Sequence, residues 1–137
     1  MHVVQEKISL AADRRELAGL RDLVRGLCDS YGVRSSTTRR VVLAVDEAVA
    51  NVLEHSTLVP DGSVEITIEI GEQAIVVEIA DEGGPFDPST CRKTEIENAR
   101  GQRRGFGLYL IHLVTDRVEY SRTNDGKNKL TLTIDSR

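Results

Sequence analysis

The sequence predicts an α+β fold, a two-layer sandwich in which a mixed, mostly antiparallel sheet carries helices on one face. Several short segments alternate apolar and polar residues, which is the period of half-buried strands. Two longer segments repeat their apolar residues every three or four positions, which is the period of helices that bury one side. Turn-forming residues at 71–73 and 124–127 separate consecutive strands and favour antiparallel hairpins.

The N-terminal half is predicted to contain one strand and two helices. Residues 3–10 alternate loosely and form the strand. Asp13 resembles a helix N-cap, and Glu16, three residues later, completes a capping box. The first helix ends at residues 31–33, and its apolar stripe consists of Leu17, Leu20, Val24 and Leu27. Cap residues at 35–37 open the second helix, whose stripe consists of Val41, Val45, Ala48, Val49 and Val52.

The C-terminal half adds strands at 64–70 and 75–79, each expected to bury one face and expose the other. Residues 88–104 are polar and lack a clear period, and connections of this length are usually functional or disordered. A third, largely buried helix follows, with the apolar residues Phe106, Leu108, Leu110, Ile111, Leu113 and Val114. A strand begins at Val118, and after the turn at 124–127 the last strand alternates through Leu130, Leu132 and Ile134.

The bulk composition is that of an ordinary soluble domain. The 137 residues are 39% hydrophobic and 29% charged, and no repeat or linker divides them, so we expect one domain over residues 1–137. The net charge of -4 gives no basic surface for nucleic acid. No apolar run approaches the roughly 18 residues of a membrane span, and the first residues lack a signal-peptide pattern. We therefore expect a cytoplasmic protein without membrane contact, with Cys28 and Cys91 as free thiols.

Three polar residues form a stripe on the second predicted helix. Glu47, Asn51 and His55 are spaced i, i+4 and i+8, beside the apolar stripe. A carboxylate and an amide one turn apart suit a general base beside a magnesium ligand, because phosphates and water supply most ligands of Mg²⁺. Taken alone, the three residues are more simply interpreted as a solvated helix face.

A second motif stands at the end of the strand that includes residues 75–79. The carboxylate of Asp81 could accept a hydrogen bond from an adenine amino group there. Gly83 would let the backbone pass close to a flat base. Aspartate and glycine are also common in plain turns, so this motif alone leaves both interpretations open.

A third motif, Gly105-Phe106-Gly107, directly precedes the third helix. Free amides at a helix start bind phosphate, and Arg103 and Arg104 could add charge-assisted contacts. The alternative is a loop that ends in a glycine hinge. The motif is neither a Rossmann fingerprint nor a Walker loop, because it lacks their further glycine or lysine residues.

Taken in order, the three motifs resemble those of the GHKL ATPase superfamily, which includes the ATP domains of gyrase, histidine kinases and MutL. They are Glu-x-x-x-Asn on a helix, Asp-x-Gly-x-Pro-Phe-Asp-Pro, and Arg-x-Gly-x-Gly-Leu. The small size and the segments 47–51, 84–88, 107–111 and 116–120 are similar to anti-sigma-factor serine kinases of the RsbW and SpoIIAB type. The resemblance covers nearly the whole chain and implies a Bergerat-type ATP-binding fold that is commonly dimeric.

The resemblance also implies roles for particular residues. Glu47 matches the family's catalytic base, Asn51 its Mg²⁺ ligand, and Asp81 its adenine reader, with Gly83 beside it. Residues 88–104 match the ATP lid. The further ATP-binding positions that the motifs imply are Phe86, Arg103, Gly105, Phe106, Gly107 and Leu108.

The function implied is that of an ATP- and Mg²⁺-dependent serine/threonine protein kinase that acts as an anti-sigma factor. Such a protein phosphorylates an anti-sigma factor antagonist, a STAS-domain protein, and sequesters a sigma factor, so that partner exchange switches transcription. Residues 1–30 carry none of the motifs, and we expect them to form a homodimer or partner surface.

Two alternatives remain open at this point. A nucleotide-sensing binding module could sequester a regulatory partner without transferring phosphate. The presence of Glu47 favours the enzyme, since a pure binder needs no base there. A positive-acting relative could instead phosphorylate an inhibitory scaffold.

Overall fold

Five strands form a single sheet in the order β1-β2-β3-β5-β4 in the computed structural model, which describes residues 3–55, 62–82 and 110–136. Every neighbouring pair of strands is antiparallel. The α+β prediction is confirmed, and the sheet predicted to be mixed is antiparallel throughout these residues. The strands are β1 (Val4–Ala11), β2 (Ser63–Ile70), β3 (Ala74–Asp81), β4 (Arg117–Arg122) and β5 (Asn128–Asp135).

The helices begin and end close to the predicted positions. They are α1 (Leu17–Ser30) and α2 (Ser35–His55), with a short 3-10 turn (Arg14–Glu16) before α1. Gly32 follows α1 with a φ of 71°, a left-handed conformation that glycine adopts without strain and that stops the helix. Residues 110–114 are helical and belong to the predicted third helix, whose expected start at Phe106 lies outside the described residues.

The core lies between the helices and one face of the sheet. The predicted stripe of α2 is buried at every position, whereas α1 buries Leu20, Val24 and Cys28 and only half-buries Leu17 and Leu27. Each such aliphatic side chain contributes about 1.5–3 kcal/mol when fully buried. The buried apolar residues of the sheet are Leu10, Val64, Ile66, Ile68, Ile70, Ile75, Val77, Ile79, Leu130, Leu132 and Ile134.

The start of α1 differs from the predicted capping box. The Asp13 carboxylate does cap, but it accepts from the backbone N of Arg15, at 2.9 Å, within the 3-10 turn. The Asp13 backbone N donates to the Ala11 carbonyl, so it is not available to the Glu16 side chain. The α-helix itself starts at Leu17, directly after the 3-10 turn.

The predicted hairpin between β4 and β5 is confirmed. The hairpin between β4 and β5 turns at Gly126, whose φ is 83°. Cys28 is a buried free thiol, while Cys91 lies outside the described residues. Among the described helices, none is both long and apolar enough to cross a membrane.

One arginine ties the start of α2 to the far ends of the other elements. Arg40 Nε donates to the Val114 carbonyl at 3.0 Å, and its Nη1 donates to the Asp135 carbonyl at 3.2 Å. Its Nη2 pairs with Asp116 Oδ2 at 2.9 Å. The same carboxylate oxygen accepts from the Asp135 backbone N at 2.7 Å. This arrangement holds the third helix and strands β4 and β5 in place against α2.

We expect Arg40→Met to lower the free energy of unfolding by about 1–2 kcal/mol, because it removes three hydrogen bonds, one of them to a partly exposed carboxylate. Urea denaturation measures the loss. The matched control is Arg39→Met, an exposed neighbour on the same helix, which should change stability little. Equal stability of wild type and Arg40→Met would contradict the role of this arginine.

The stability lost in Arg40→Met should also depend on pH. The hydrogen bond from the Asp135 backbone N, and then the Arg40 guanidinium, hold the pKa of Asp116 below its ordinary value. The folded pKa is therefore below the unfolded one, so Asp116 stabilises the fold above about pH 4 and less as the pH falls through the folded pKa. The difference between wild type and Arg40→Met should narrow in acid, and a constant difference from pH 7 to pH 3 would contradict this account.

Candidate functional site

The second half of α2 lies over the end of the sheet where β3 finishes. Arg40, near the start of α2, contacts Asp135, which pairs with Ala74 at the start of β3. From Arg40 to Asn51 the helix advances about 16 Å. From Ala74 to Asp81 the strand advances about 23 Å. Because α2 packs against β3 and β5, Asn51 lies toward the end of the sheet that carries Asp81.

Asn51 is a buried amide with an unmet hydrogen-bonding group. Its side chain is only 6% exposed, and its Nδ2 has no hydrogen-bond partner among the described residues. Leaving such a group unpaired costs about 1–3 kcal/mol, and natural sequences rarely retain one without a purpose. This burial departs from the interpretation of Asn51 as part of a solvated helix face and points to a ligand.

Glu47, one turn earlier, is half-buried and lies in an acidic environment. Burial raises the pKa of its carboxyl, and the charges of Asp46 and Glu54 raise this pKa further. Asp46 itself pairs with Arg21 of α1, with 3.0 Å between Nη1 and Oδ1. A carboxylate whose pKa is raised is a better proton acceptor once ionised, which is what a general base needs.

Asp81 ends β3 as a buried carboxylate, 3% exposed, on the same face of the sheet as Ile75, Val77 and Ile79. Its Oδ1 accepts from Nδ2 of Asn128, the directly opposite residue on β5, at 3.1 Å. A buried carboxylate needs hydrogen-bond donors to offset its desolvation, so this end of the sheet is built to hold acceptor groups away from water.

Asn128 is a candidate site residue that the motifs did not identify. It occupies an inward-facing position of β5, in phase with Leu130, Leu132 and Ile134, and it is buried. The sequence does contain a sign of this role, since Asn128 stands at a position where the alternation of the strand calls for an apolar residue. A polar side chain at such a position has to find buried polar partners. The turn residues at 124–127 directly before it indicate only a hairpin.

Part of the predicted site lies outside the described residues. This holds for the lid at 88–104 and for the side chain of His55. It also holds for the remaining predicted ATP-binding residues Gly83, Phe86, Arg103, Gly105, Phe106, Gly107 and Leu108. Their roles stay predictions, and the described site consists of Glu47, Asn51, Asp81 and Asn128.

The donor set of this site fits a metal held mainly by a substrate. In the described part of the chain, no cluster of three or more His, Cys, Asp or Glu side chains could hold a metal by itself. Mg²⁺ commonly takes one or two protein ligands and completes its coordination with phosphates and water. The amide oxygen of Asn51 is a ligand type that Mg²⁺ accepts, and its unpaired Nδ2 could donate to a phosphate oxygen, so this residue fits such a site.

Comparison with known families identifies the class of protein. The chain matches the histidine kinase-like ATPase domain over residues 10–134. Because this match spans most of the chain, the chain belongs to the histidine kinase-like ATPase family. The resemblance to GHKL ATPases is thereby confirmed, and an ATPase domain implies ATP binding.

Solved structures with the same fold include an RsbW domain and a SiaB–SiaC complex. The RsbU and RsbW domains of a Mycobacterium tuberculosis protein give a TM-score of 0.70 at 18% identity, over 98% of this chain and 33% of that one. This chain therefore spans about a third of that protein's chain. The SiaB–SiaC complex from Pseudomonas aeruginosa gives 0.66 at 14% identity, over 94% of this chain and 88% of that one.

A histidine kinase gives a weaker structural match. Acinetobacter baumannii AdeS has a TM-score of 0.51 at 16% identity, over 100% of this chain and 70% of that one. At these sequence identities, the similarity to the three structures shows a shared fold and nothing further. No significant match is found among curated proteins.

We expect Glu47→Gln to raise the melting temperature at pH 7. The folded pKa of Glu47 lies above its unfolded value, so wild type loses stability as the pH rises from the unfolded pKa, about 4.3, through the folded pKa. The neutral amide avoids this loss. Differential scanning calorimetry at pH 7 and pH 3.5 measures the effect, which should vanish at the lower pH. The matched control is Glu65→Gln, on the exposed face of β2. A lower melting temperature for Glu47→Gln than for wild type at pH 7 would contradict the raised pKa of Glu47.

Proposed function

We propose that this protein is a serine/threonine kinase of a partner-switching pathway, which phosphorylates an antagonist protein and sequesters a sigma factor. One observation carries the proposal. A half-buried carboxylate with a raised pKa and a buried amide with an unpaired group lie one helical turn apart, toward the buried carboxylate that ends β3. A solvated helix face would need none of these features.

Asp81 is proposed to bind the adenine base of ATP. Its buried carboxylate accepts hydrogen bonds only, and the exocyclic amino group of adenine is a donor. A bond between a charged acceptor and a donor that are both shielded from water contributes about 1.5–3 kcal/mol. Asp81 would therefore supply base recognition, and Gly83 beside it would let the base approach the backbone.

Asn51 is proposed to hold Mg²⁺ together with the phosphates of ATP. When bound, the metal would neutralise negative charge on those phosphates. The amide oxygen of Asn51 would bind the metal, and its unpaired Nδ2, a donor, would pair with a phosphate oxygen, so binding would relieve an unfavourable burial. The free energy regained on binding is a physical reason for an unpaired buried amide at this position of α2.

Glu47 is proposed to act as the general base. It would accept the proton of a serine or threonine hydroxyl as that oxygen forms its bond to the γ-phosphorus. The bond between the γ-phosphorus and the bridging oxygen breaks in the same step, and ADP leaves. The raised pKa of Glu47 strengthens its carboxylate as an acceptor, and positioning with charge stabilisation would supply most of the remaining rate acceleration.

The remaining machinery is proposed from the motifs. Residues 88–104 would form the ATP lid within one ATP-binding domain over 1–137, and Gly105 and Gly107 would offer backbone amides to the phosphates. Arg103 would contact the transferring phosphoryl group. The family membership supports the ATP-binding part of this proposal. The similarity to an RsbW domain and to the SiaB–SiaC complex supports a switching partner. A homodimer through residues 1–30 and a cytoplasmic location are proposed with it.

The test compares Glu47→Ala with Asn51→Ala. Glu47→Ala should leave the affinity for Mg²⁺-ATP nearly intact and slow single-turnover phosphate transfer by about 10²–10⁴-fold, because a base acts only as the proton moves. Asn51→Ala should weaken Mg²⁺-ATP binding itself. Calorimetry and transfer of labelled phosphate to STAS-domain proteins of the native cell provide the two measurements, with Glu65→Ala as the control.

Two outcomes would contradict the proposal. Transfer at the wild-type rate by Glu47→Ala would remove this residue from the role of base. Binding of ATP by wild type without transfer to any STAS-domain protein would replace the kinase with a nucleotide-sensing module that sequesters its partner.

A further inference from the structure

Asn128 is the centre of a polar network at the end of the sheet that carries Asp81. Its Nδ2 donates to Asp81, while its Oδ1 accepts from Tyr120 Oη at 2.5 Å and from Arg122 Nη1 at 2.9 Å. Asn128 is 4% exposed. The bond to Asp81 is buried, so water competes little for it, whereas the bonds from Tyr120 and Arg122 are part-buried.

The two donors determine which end of the Asn128 amide faces Asp81. The guanidinium can only donate, the phenol O–H donates to the same atom, and only the oxygen of the amide accepts. A half turn of the amide would set its NH₂ group against Tyr120 and Arg122 and its oxygen against the Asp81 carboxylate. The side chains of β4 thus orient Asn128 so that it donates to Asp81.

The register of the sheet fixes the backbone positions of the network. Asp81 on β3 pairs directly with Asn128 on β5, and Asn128 pairs directly with Arg122 on β4. Tyr120, two residues before Arg122, lies on the same face of β4. Three adjacent strands therefore carry a continuous row of polar side chains from the sheet edge to Asp81.

We propose that Asn128 is a positioning residue that sets the base specificity of the nucleotide site, and that Tyr120 and Arg122 hold it in its productive orientation. The inference rests on the proposed function, in which Asp81 accepts from the exocyclic amino group of adenine. A carboxylate has about four lone-pair positions, so the bond from Asn128 is compatible with a bond from the base. By donating to Oδ1, Asn128 fixes the plane of the carboxylate and hence the direction from which it accepts the amino group.

The test measures how strongly the site prefers ATP over an analogue, rather than the affinity for ATP alone. Calorimetry compares ATP with purine riboside triphosphate, which differs from ATP only in lacking the exocyclic amino group. Wild type should bind ATP about tenfold more tightly, or better, because the analogue leaves Asp81 without this donor. A merely structural role for Asn128 would weaken both nucleotides equally and leave their ratio unchanged.

Three variants probe the network. Asn128→Asp keeps an oxygen for Tyr120 and Arg122 but replaces the donor that faces Asp81 with an acceptor, so the ratio should fall toward one. Tyr120→Phe removes one bond that orients the amide and should lower the ratio about two- to fivefold. Ser121→Ala removes a hydroxyl from the intervening residue, which lies on the opposite face of β4, and should leave the ratio unchanged.

The outcomes separate this inference from the proposed function. If Asp81→Asn abolishes the preference while Asn128→Asp and Tyr120→Phe retain it, the role of Asn128 is overturned and the ATP site stands. If wild type binds no ATP, both proposals fall. If it binds both nucleotides equally, the proposed roles of Asp81 and Asn128 in base recognition fall together. Circular dichroism checks folding, and Tyr120→Phe, which removes a single oxygen atom, decides the question if Asn128→Asp does not fold.

Discussion

The covered face of β3 is apolar through Ile75, Val77 and Ile79 and then presents the buried carboxylate of Asp81. A carboxylate can be kept from water only if donors surround it, and this requirement shapes the neighbouring strands. β5 begins with Asn128 because a donor is needed directly opposite. β4 carries Tyr120 and Arg122 because the amide of Asn128 must be satisfied in turn. Because Asp81, Asn128 and Arg122 pair directly across the antiparallel sheet, the hydrogen-bond partners of one buried carboxylate extend over three strands.

The long helix α2 combines a structural and a chemical role. Its apolar stripe provides much of the core, while Glu47 and Asn51 lie beside that stripe in its second half. Burial next to Asp46 and Glu54 raises the pKa of Glu47, and Asn51 keeps an unpaired amide nitrogen. Both features are unfavourable for folding, which is expected where a site is prepared for a ligand. The aliphatic core on the same helix offsets these costs.

The periodicity of the sequence was sufficient to predict most of the fold. Strict alternation in β2, β3 and β5 and the stripe of α2 come directly from which side chains need burial, and the structure confirms these elements. The first turn of α1 was predicted less well, because local cap residues do not reveal that the Asp13 backbone N is engaged with Ala11. Arg40 gave no signal either, since its partners Val114, Asp116 and Asp135 are at least 74 residues away along the chain.

The candidate site could be predicted only in part, again because some of its contacts join residues that are far apart in the sequence. Glu47, Asn51 and Asp81 stand in recognisable motifs, and the structure places all three at the boundary or inside of the core, although their chemical roles stay predictions. Asn128 belongs to no such motif, and its importance depends on a residue 47 positions earlier that only the strand register brings opposite. Motifs report groups that act together within one segment, whereas pairing across a sheet is long-range.

The central claim, that this end of the sheet binds ATP, can be tested at individual side chains. Asparagine amide groups give distinct proton–nitrogen signals, so a titration of ¹⁵N-labelled protein with Mg²⁺ and a non-hydrolysable ATP analogue reports directly on Asn51 and Asn128. Both amide signals should shift and saturate together, while Gly32 and Gly71, which line a cavity at the opposite end of the sheet, should stay unchanged. Saturable shifts at Gly32 and Gly71 with none at Asn51 or Asn128 would contradict the account.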